Sequence, residues 1–279
     1  MSSTEDVQQS RAVAKGDVIA VCGATGGVGA GVVKRLAATG DYKVRAIVRS
    51  TARAATRFAD VPNSDALELV EADIRDPQGI AAALEGAHAV VCCTGTTAFP
   101  SKAWQGGNTP FEVDYVALKN VLTGATGQRG ARLKRFVHLS SIGVTRRASL
   151  PFSILNAFGV LDALAMGEEA LITEAQEAGF DYAIVRPGQL IDDDEEIDVN
   201  KPSGVQALLL GLVKPRAVLQ AVALARGDAA VGDISRGGAA EVLCQALLQR
   251  GASNQAFTAI AQAGPPPTQA QWDALFAAL

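Results

Sequence analysis

Positive charge is nowhere in excess in this sequence: 25 Lys and Arg stand against 29 Asp and Glu, for a net charge of −4. A nucleic-acid partner draws on clustered cations, so that class is set aside, and the mild acidity reads as solubility. Histidine is scarce, at two residues, and the four cysteines (Cys22, Cys92, Cys93 and Cys244) contain no CxxC pair. No metal site is expected from such a set. Adjacent Cys92 and Cys93 point to opposite faces of a strand, where they do not bridge easily. Buried, reduced thiols are therefore expected, in a cytosolic, stromal or similar compartment. No apolar run approaches the roughly 20 residues that span a bilayer; VQALLLGLV at 205–213 is cut short by Lys214, Pro215 and Arg216. The N-terminus carries Glu5 and Asp6 and lacks the apolar core of a signal peptide, so 1–16 is expected to be a flexible tail. Aromatics make up only 5%, so within an apolar fraction of 48% Ala, Val and Leu have to fill the core.

What is present is an alternation. The β-rich runs DVIAVC (17–22), KVRAIV (43–48), LELVEA (67–72), HAVVCC (88–93), RFVHLS (135–140), DYAIVR (181–186) and QAFTAI (255–260) are nearly continuous in apolar residues. Such runs suit parallel strands buried on both faces. Helical stretches separate the first six, including GVGAGVVKRLAATG, DPQGIAAALEGA and FEVDYVALKNVLTGATG. The series predicts an α/β, doubly wound parallel sheet with its ligand at the carboxyl ends of the strands. Past Arg186 the pattern changes. IDDDEEIDVNKPSG (191–204) reads as a solvated acidic loop and 205–225 as apolar helix; 187–234 is expected to form a small lobe over the cleft of one domain spanning 17–279. Helix resumes near 235–249, and GPPPT connects to a last helix, QAQWDALFAAL.

The strongest signal follows the first strand. Gly23, Ala24, Thr25, Gly26, Gly27, Val28 and Gly29 form a GxxGxxG loop that opens a helix. Its first glycine suits a tight turn, its second lets backbone approach a pyrophosphate, and its third permits close helix–strand packing. The helix N-terminus offers free N–H groups and a positive dipole end. A dinucleotide is the ligand this context predicts. At the end of the second strand, where an NAD site usually carries an acid, stands Arg49, with Arg53 one turn later. An arginine there pairs with a 2′-phosphate, or else is a solvated strand end; with the acid missing, NADP is expected over NAD. Asp73 and Ile74 would flank the adenine, although Asp73 reads equally well as the N-cap of the helix at DPQGI. Thr94 and Gly95 would let backbone pass the ribose or pyrophosphate.

GATGGVG, the AIVRS arginine, EADIRD, VDYVALKN, HLSSIGV and YAIVRPG, in this order, resemble the atypical short-chain dehydrogenase/reductase superfamily. Within it they resemble the NmrA-like NAD(P)-binding proteins of plants, algae and cyanobacteria, a group that includes a subunit of the chloroplast inner-envelope translocon. The resemblance implies a Rossmann fold, NADP, and a chloroplast location, stromal or membrane-peripheral; composition alone would equally allow the cytoplasm. It also implies a serine at the end of the fifth strand, where Ser140 and Ser141 stand, and an RPG turn beside the nicotinamide, which carries over Arg186, Pro187 and Gly188. Reductases of the superfamily add YxxxK on the next helix, where the Tyr moves a proton and the Lys lowers its pKa.

That helix here is FGVLDALAMGEEALITEAQEA, 158–178. It has five acids and no Tyr, Lys, Arg or His. Its acids are expected to face solvent or a partner. A literal YxxxK, Tyr115 to Lys119, lies one helix too early; Tyr115 is expected to pack and Lys119 to reach solvent or a phosphate. Asp114 stands where related enzymes place an Asn. His88 and His138 fit core or edge roles. The expectation is thus an NADP-binding protein without the usual Tyr and Lys, acting as a redox-responsive sensor, scaffold or assembly factor with a possible protein partner. The alternative is a reductase of a small carbonyl or quinone-like substrate with a non-standard proton donor, for which Ser141, Tyr115 and Lys119 are the weak candidates.

Overall fold

The apolar runs line up as one sheet because each has two faces to bury. A computed structural model of the chain describes residues 12–62, 64–127, 132–192 and 220–279. Strands β1 (Val18–Cys22), β2 (Lys43–Val48), β3 (Leu67–Glu71), β4 (Ala89–Cys92), β5 (Arg135–Leu139) and β6 (Asp181–Pro187) alternate with helices. These are α1 (Gly27–Thr39), α2 (Thr51–Arg57), α3 (Pro77–Ala83), α4 (Ala117–Thr126), the single turn α5 (Phe152–Leu155) and α6 (Val160–Ala178). A π-helical turn, Phe111–Val116, leads into α4. Then come β7 (Gln189–Ile191), β8 (Ala221–Arg226), β9 (Asp233–Ser235), α7 (Arg236–Leu248), β10 (Gln255–Gln262) and α8 (Gln269–Ala277).

The sheet runs β3-β2-β1-β4-β5-β6-β10-β8, parallel throughout except for the antiparallel β10–β8 edge. Strand order reverses between β1 and β4, the switch point at which doubly wound sheets bind ligands. Ile19 and Val21 pack one face with α1, α7 and α8; Ala20 and Cys22 pack the other with α3, α4 and α6. Cys92 and Cys93 divide between the two faces in the same way.

One expected helix is corrected. Residues 221–225, expected as the end of an apolar helix, belong instead to the edge strand β8, Ala221–Arg226. Its Ala and Leu are good helix formers, but antiparallel pairing with β10 overrides propensity. Val222 is buried and Leu224 packs against the core, the period of two that a strand imposes. The rest of that segment, the acidic loop beyond Asp192 and most of the expected lobe fall in 193–219, outside the described residues. Residues 1–11 of the expected tail are also outside them. The end of that stretch is tied down: Ala14 donates to Asp17 at 2.7 Å and Gly16 to the Asp41 carbonyl at 2.7 Å. Among the described residues no helix is long and apolar enough to cross a membrane.

The loop between β1 and α1 is a tight joint. A Cβ on Gly29 would lie 2.3 Å from the Gly23 carbonyl oxygen, so α1 reaches its seat against β1 only with hydrogen there. Gly29→Ala is therefore expected to lower stability by about 1–3 kcal/mol through overpacking. An unchanged urea midpoint would contradict this.

Candidate functional site

The carboxyl ends of the strands frame two connected cavities. The first, of about 500 Å³, lies over the glycine loop between the ends of β1, β2, β3 and β4. Gly23 turns the chain with φ of 72°, and a Cβ there would meet the Cys93 carbonyl at 2.8 Å and the Thr94 nitrogen at 2.9 Å. The loop thus lies directly against the exit of β4. Gly26 caps α1 without a side-chain bond, and the first turn holds no acid. Its N–H groups and positive end remain available to an anion. These features fit a dinucleotide pyrophosphate: backbone close enough for contact, donors unspent, and no carboxylate in the first turn of the helix.

Thr25, Gly26, Arg49, Asp73, Ile74, Thr94 and Gly95 all line this cavity. Arg49 is exposed at its rim. The turn it begins is fixed by Ser50, which caps α2, and by Thr51, whose N–H and hydroxyl donate to Glu71 at 3.0 and 3.1 Å. The helix-cap alternative for Asp73 falls, because Asp76 caps α3. Asp73 instead accepts from Arg75, which holds its carboxyl below the usual range; Arg49 adds to this from further away. Arg75 also donates to the Gly106 carbonyl at 2.6 Å, closing the outer wall. Ala24 and Gly29 line neither cavity; Ala24 is wholly buried in the core.

The second cavity, of about 580 Å³, continues from the first past Thr94–Thr97. Gly26, Gly27 and Val28 border it on one side; Ser140 and Ser141 after β5, and Pro187 and Gly188 at β6, border it on another. Phe152, Leu155, Val160, Leu161 and Leu164 make the far wall apolar. On the chamber face of α6, the positions four apart are Val160 and Leu164, where a Tyr–Lys pair of the family's spacing would need polar groups.

The expectation that all five acids of α6 face outward is corrected at Glu168. This residue continues the stripe of Val160, Leu164, Leu171 and Ala175 and is buried. Its carboxylate takes a fork from Arg186, Nε to Oε1 at 2.9 Å and Nη2 to Oε2 at 2.6 Å, and a bond from the Ser140 hydroxyl at 2.6 Å. Both charged side chains are 7% exposed. Burial works to lower the Arg186 pKa, but the bond and charge of Glu168 together with the charge of Asp228 leave it raised. Arg186, carried over as a cofactor residue, thus sits behind the wall and lines neither cavity. Asp162 pairs with Arg147, Glu174 accepts from Thr126, and Glu169 and Glu177 are exposed.

Tyr115 and Lys119 also line neither cavity. They meet each other instead, the ammonium 5.5 Å from the ring centroid, and Tyr115 packs on Phe111. Ser141 lines the chamber but donates to the Ile142 carbonyl at 3.0 Å.

Among the lining residues, Arg236 and Gln189 were not singled out from sequence, and Asp114 was given no role there. Arg236 opens α7, packs its side chain over Gly27 and pairs with Asp192. Gln189 brings a buried Oε1 without a partner among the described residues. Asp114 is 3% exposed; the Thr96 hydroxyl donates to its Oδ2, while its Oδ1 has no partner among the described residues. Burial pushes its pKa up to about 6, drawn part of the way back by Thr96 and by His138 beneath it. Polarity next to an apolar stripe was the available signal for Asp114. Arg236 gave none, since its proximity to Gly27 arises only from the packing of α7 on α1.

Removing one member of the buried pair leaves an uncompensated charge, which costs about 3–5 kcal/mol. Glu168→Ala is expected to lose stability of that order in urea unfolding, and Glu168→Ala with Arg186→Leu to recover part of it. Additive losses would show that the two residues do not act as a pair.

Comparison with known proteins agrees with this geometry. The NAD(P)H-binding family model matches residues 23–207. Protein TIC 62, chloroplastic, of Arabidopsis thaliana is 38% identical over 185 residues, 62% of this chain and 27% of its own. The chain therefore spans about a quarter of that relative's length. An uncharacterised chloroplastic protein of the same plant is 30% identical over 256 residues, 88% of this chain and 77% of its own. Among solved structures, the oxidoreductase ylbE from Lactococcus lactis superposes with a TM-score of 0.66 at 20% identity, covering 93% of this chain and 97% of that one. A short-chain dehydrogenase/reductase from Veillonella parvula in complex with NADP gives 0.57 at 13% identity, covering 92% and 97%. By its glycine loop, its strand order and these matches, the chain belongs to the NAD(P)H-binding family and is an atypical short-chain dehydrogenase/reductase with a Rossmann fold.

Proposed function

We propose that this chain is an NADP(H)-dependent reductase of small apolar carbonyl or quinone-like compounds, working without the family's Tyr–Lys pair. A plastid location is proposed with it, from its chloroplastic relatives. The observation that carries the reading is the second cavity: an apolar chamber of about 580 Å³ that opens directly from the glycine-loop groove. Apolar walls with a few convergent polar groups are the usual make-up of a small-molecule site.

In this reading the N-terminus of α1 holds the pyrophosphate and Arg49 pairs with the 2′-phosphate. NADPH, when bound, supplies the hydride. Phe152, Leu161 and Leu164 exclude water around an apolar substrate and orient its carbonyl toward the polar floor. A redox-responsive binding role without turnover is the second reading. It is favoured by the Ser140 hydroxyl, which is spent on Glu168 and not free to act on a substrate.

Calorimetric titration with NADPH and NADH tests the cofactor. NADPH is expected to bind at least tenfold tighter, or about 1.4 kcal/mol, and Arg49→Glu to abolish the difference. Equal affinities in the wild type, unchanged in the variant, would refute the NADP preference. NADPH oxidation with menadione or nitrobenzaldehyde tests turnover; a protein that binds NADPH yet oxidises it with neither favours the sensor.

A further inference from the structure

We infer that Asp114 is the proton donor of the chamber: its carboxyl hydrogen-bonds, and then protonates, the carbonyl oxygen of a small apolar aldehyde, ketone or quinone. The assignment rests on the reductase reading and adds to it the residue and the ligand group it recognises.

Four observations converge on this one side chain. First, Asp114 lines the chamber while being only 3% exposed, with an Oδ1 that meets no hydrogen-bond partner among the described residues. A buried carboxyl oxygen left open is costly unless something binds it. Second, the Thr96 hydroxyl donates to Oδ2. With Oδ2 serving as acceptor, the acid's proton belongs on Oδ1, the oxygen left without a partner. Third, the backbone here is shaped to bring the group inward. Asp114 sits in the π-helical turn Phe111–Val116, a form concentrated at functional sites. A Cβ on Gly167 of α6 would lie 2.5 Å from the Asp114 carbonyl oxygen, so α6 packs against this turn at its one residue without a side chain.

Fourth, the surroundings suit an acid near neutrality. His138 of β5 and the Cys92 thiol of β4 face Asp114 from the sheet, and Thr96 faces it from the loop after β4. From α6 the neighbour is Gly167, and that helix's buried acid, Glu168, is already bound to Arg186 and Ser140. Burial outweighs the hydrogen bond and the histidine, which brings the pKa to about 6. A general acid works best when its pKa lies near the working pH.

The step balances as a two-electron reduction. For an aldehyde or ketone the carbonyl carbon gains a hydride from the reduced cofactor, the carbonyl oxygen gains the Asp114 proton, and the C=O double bond becomes the C–O bond of an alcohol. For a quinone the hydride enters the conjugated ring, the oxygen bonded by Asp114 takes its proton, and tautomerisation moves the added C–H proton to the second oxygen to give the hydroquinone. The carboxylate then regains a proton from solvent.

Below about pH 6 Asp114 carries its proton and donates; above it, a carboxylate faces the carbonyl oxygen. Menadione binding to NADP⁺-loaded protein, measured by calorimetry from about pH 5 to about pH 8, should therefore weaken tenfold or more as pH rises. Asp114→Asn keeps a donor but no transferable proton. It should bind menadione with no pH dependence, while kcat/KM for NADPH-dependent reduction falls about a hundredfold or more. Asp114→Leu should lose binding as well, and NADPH affinity reports that each variant is folded. A wild-type affinity flat with pH, together with full turnover in Asp114→Asn, overturns the assignment and leaves the reductase reading standing. If no form binds menadione, the reductase reading fails and the assignment with it.

Discussion

A buried ion pair holds the chamber end of the sheet together. Two charges taken out of water lose several kcal/mol each, and only close, multiple hydrogen bonds recover it. Glu168 and Arg186 meet that requirement with a two-point fork, and Ser140 fills a further lone pair. The three residues come from α6, β6 and the end of β5, so one cluster locks three elements in register. With Glu168 fixed, Leu164 and Val160 one and two turns earlier are set against the chamber. With Arg186 fixed, Pro187 and Gly188 are held at its mouth. A helix lacking the usual Tyr and Lys is thereby still clamped to the sheet by a polar group, one whose role is architectural.

The two cavities divide the work by polarity. Over the glycine loop, backbone, hydroxyls and charges share the walls with Ile47, Val48, Ile74 and Val113, and Gly23 lies tight against the exit of β4. Beyond Thr97 the walls turn to Leu, Val and Phe. Asp114 lies in the chamber beside Thr96, where the polar groove gives way to the apolar wall. That position explains why its environment raises the pKa while Arg75 lowers that of Asp73 in the groove. One carboxyl is desolvated with a neutral hydroxyl for company; the other is forked by a guanidinium.

Much of this was legible in the residues. The sheet was, because strands buried on both faces are forced into continuous apolar runs, and the glycine loop was, because a tight turn beside a phosphate leaves little choice but glycine. Arg49 was placed by its offset from a strand end. β8 was missed because AVALAR reads as helix until β10 lies beside it. Glu168 was misjudged although its phase was readable: it falls in step with Leu164, Leu171 and Ala175. What could not be read was its partner, 18 residues away on the next strand. Tyr115 and Lys119 illustrate the converse, with correct spacing on the wrong helix. The partner of an inward polar residue is set by tertiary packing, and one sequence does not carry it.

Asp228 lines neither cavity and lies 85 residues beyond Gly143. It nevertheless binds the turn leading into the chamber wall, accepting from the Gly143 and Thr145 N–H groups at 2.8 Å each and from the Thr145 hydroxyl at 2.9 Å. Arg146, in the same turn, stacks on Phe152 of that wall. The groove for the dinucleotide is closed largely by neighbours within the first half of the chain, whereas the chamber borrows its clasp from the second. The shape of the chamber is therefore a property of the whole sheet: it depends on a carboxylate beyond β8 as well as on the helices that line it.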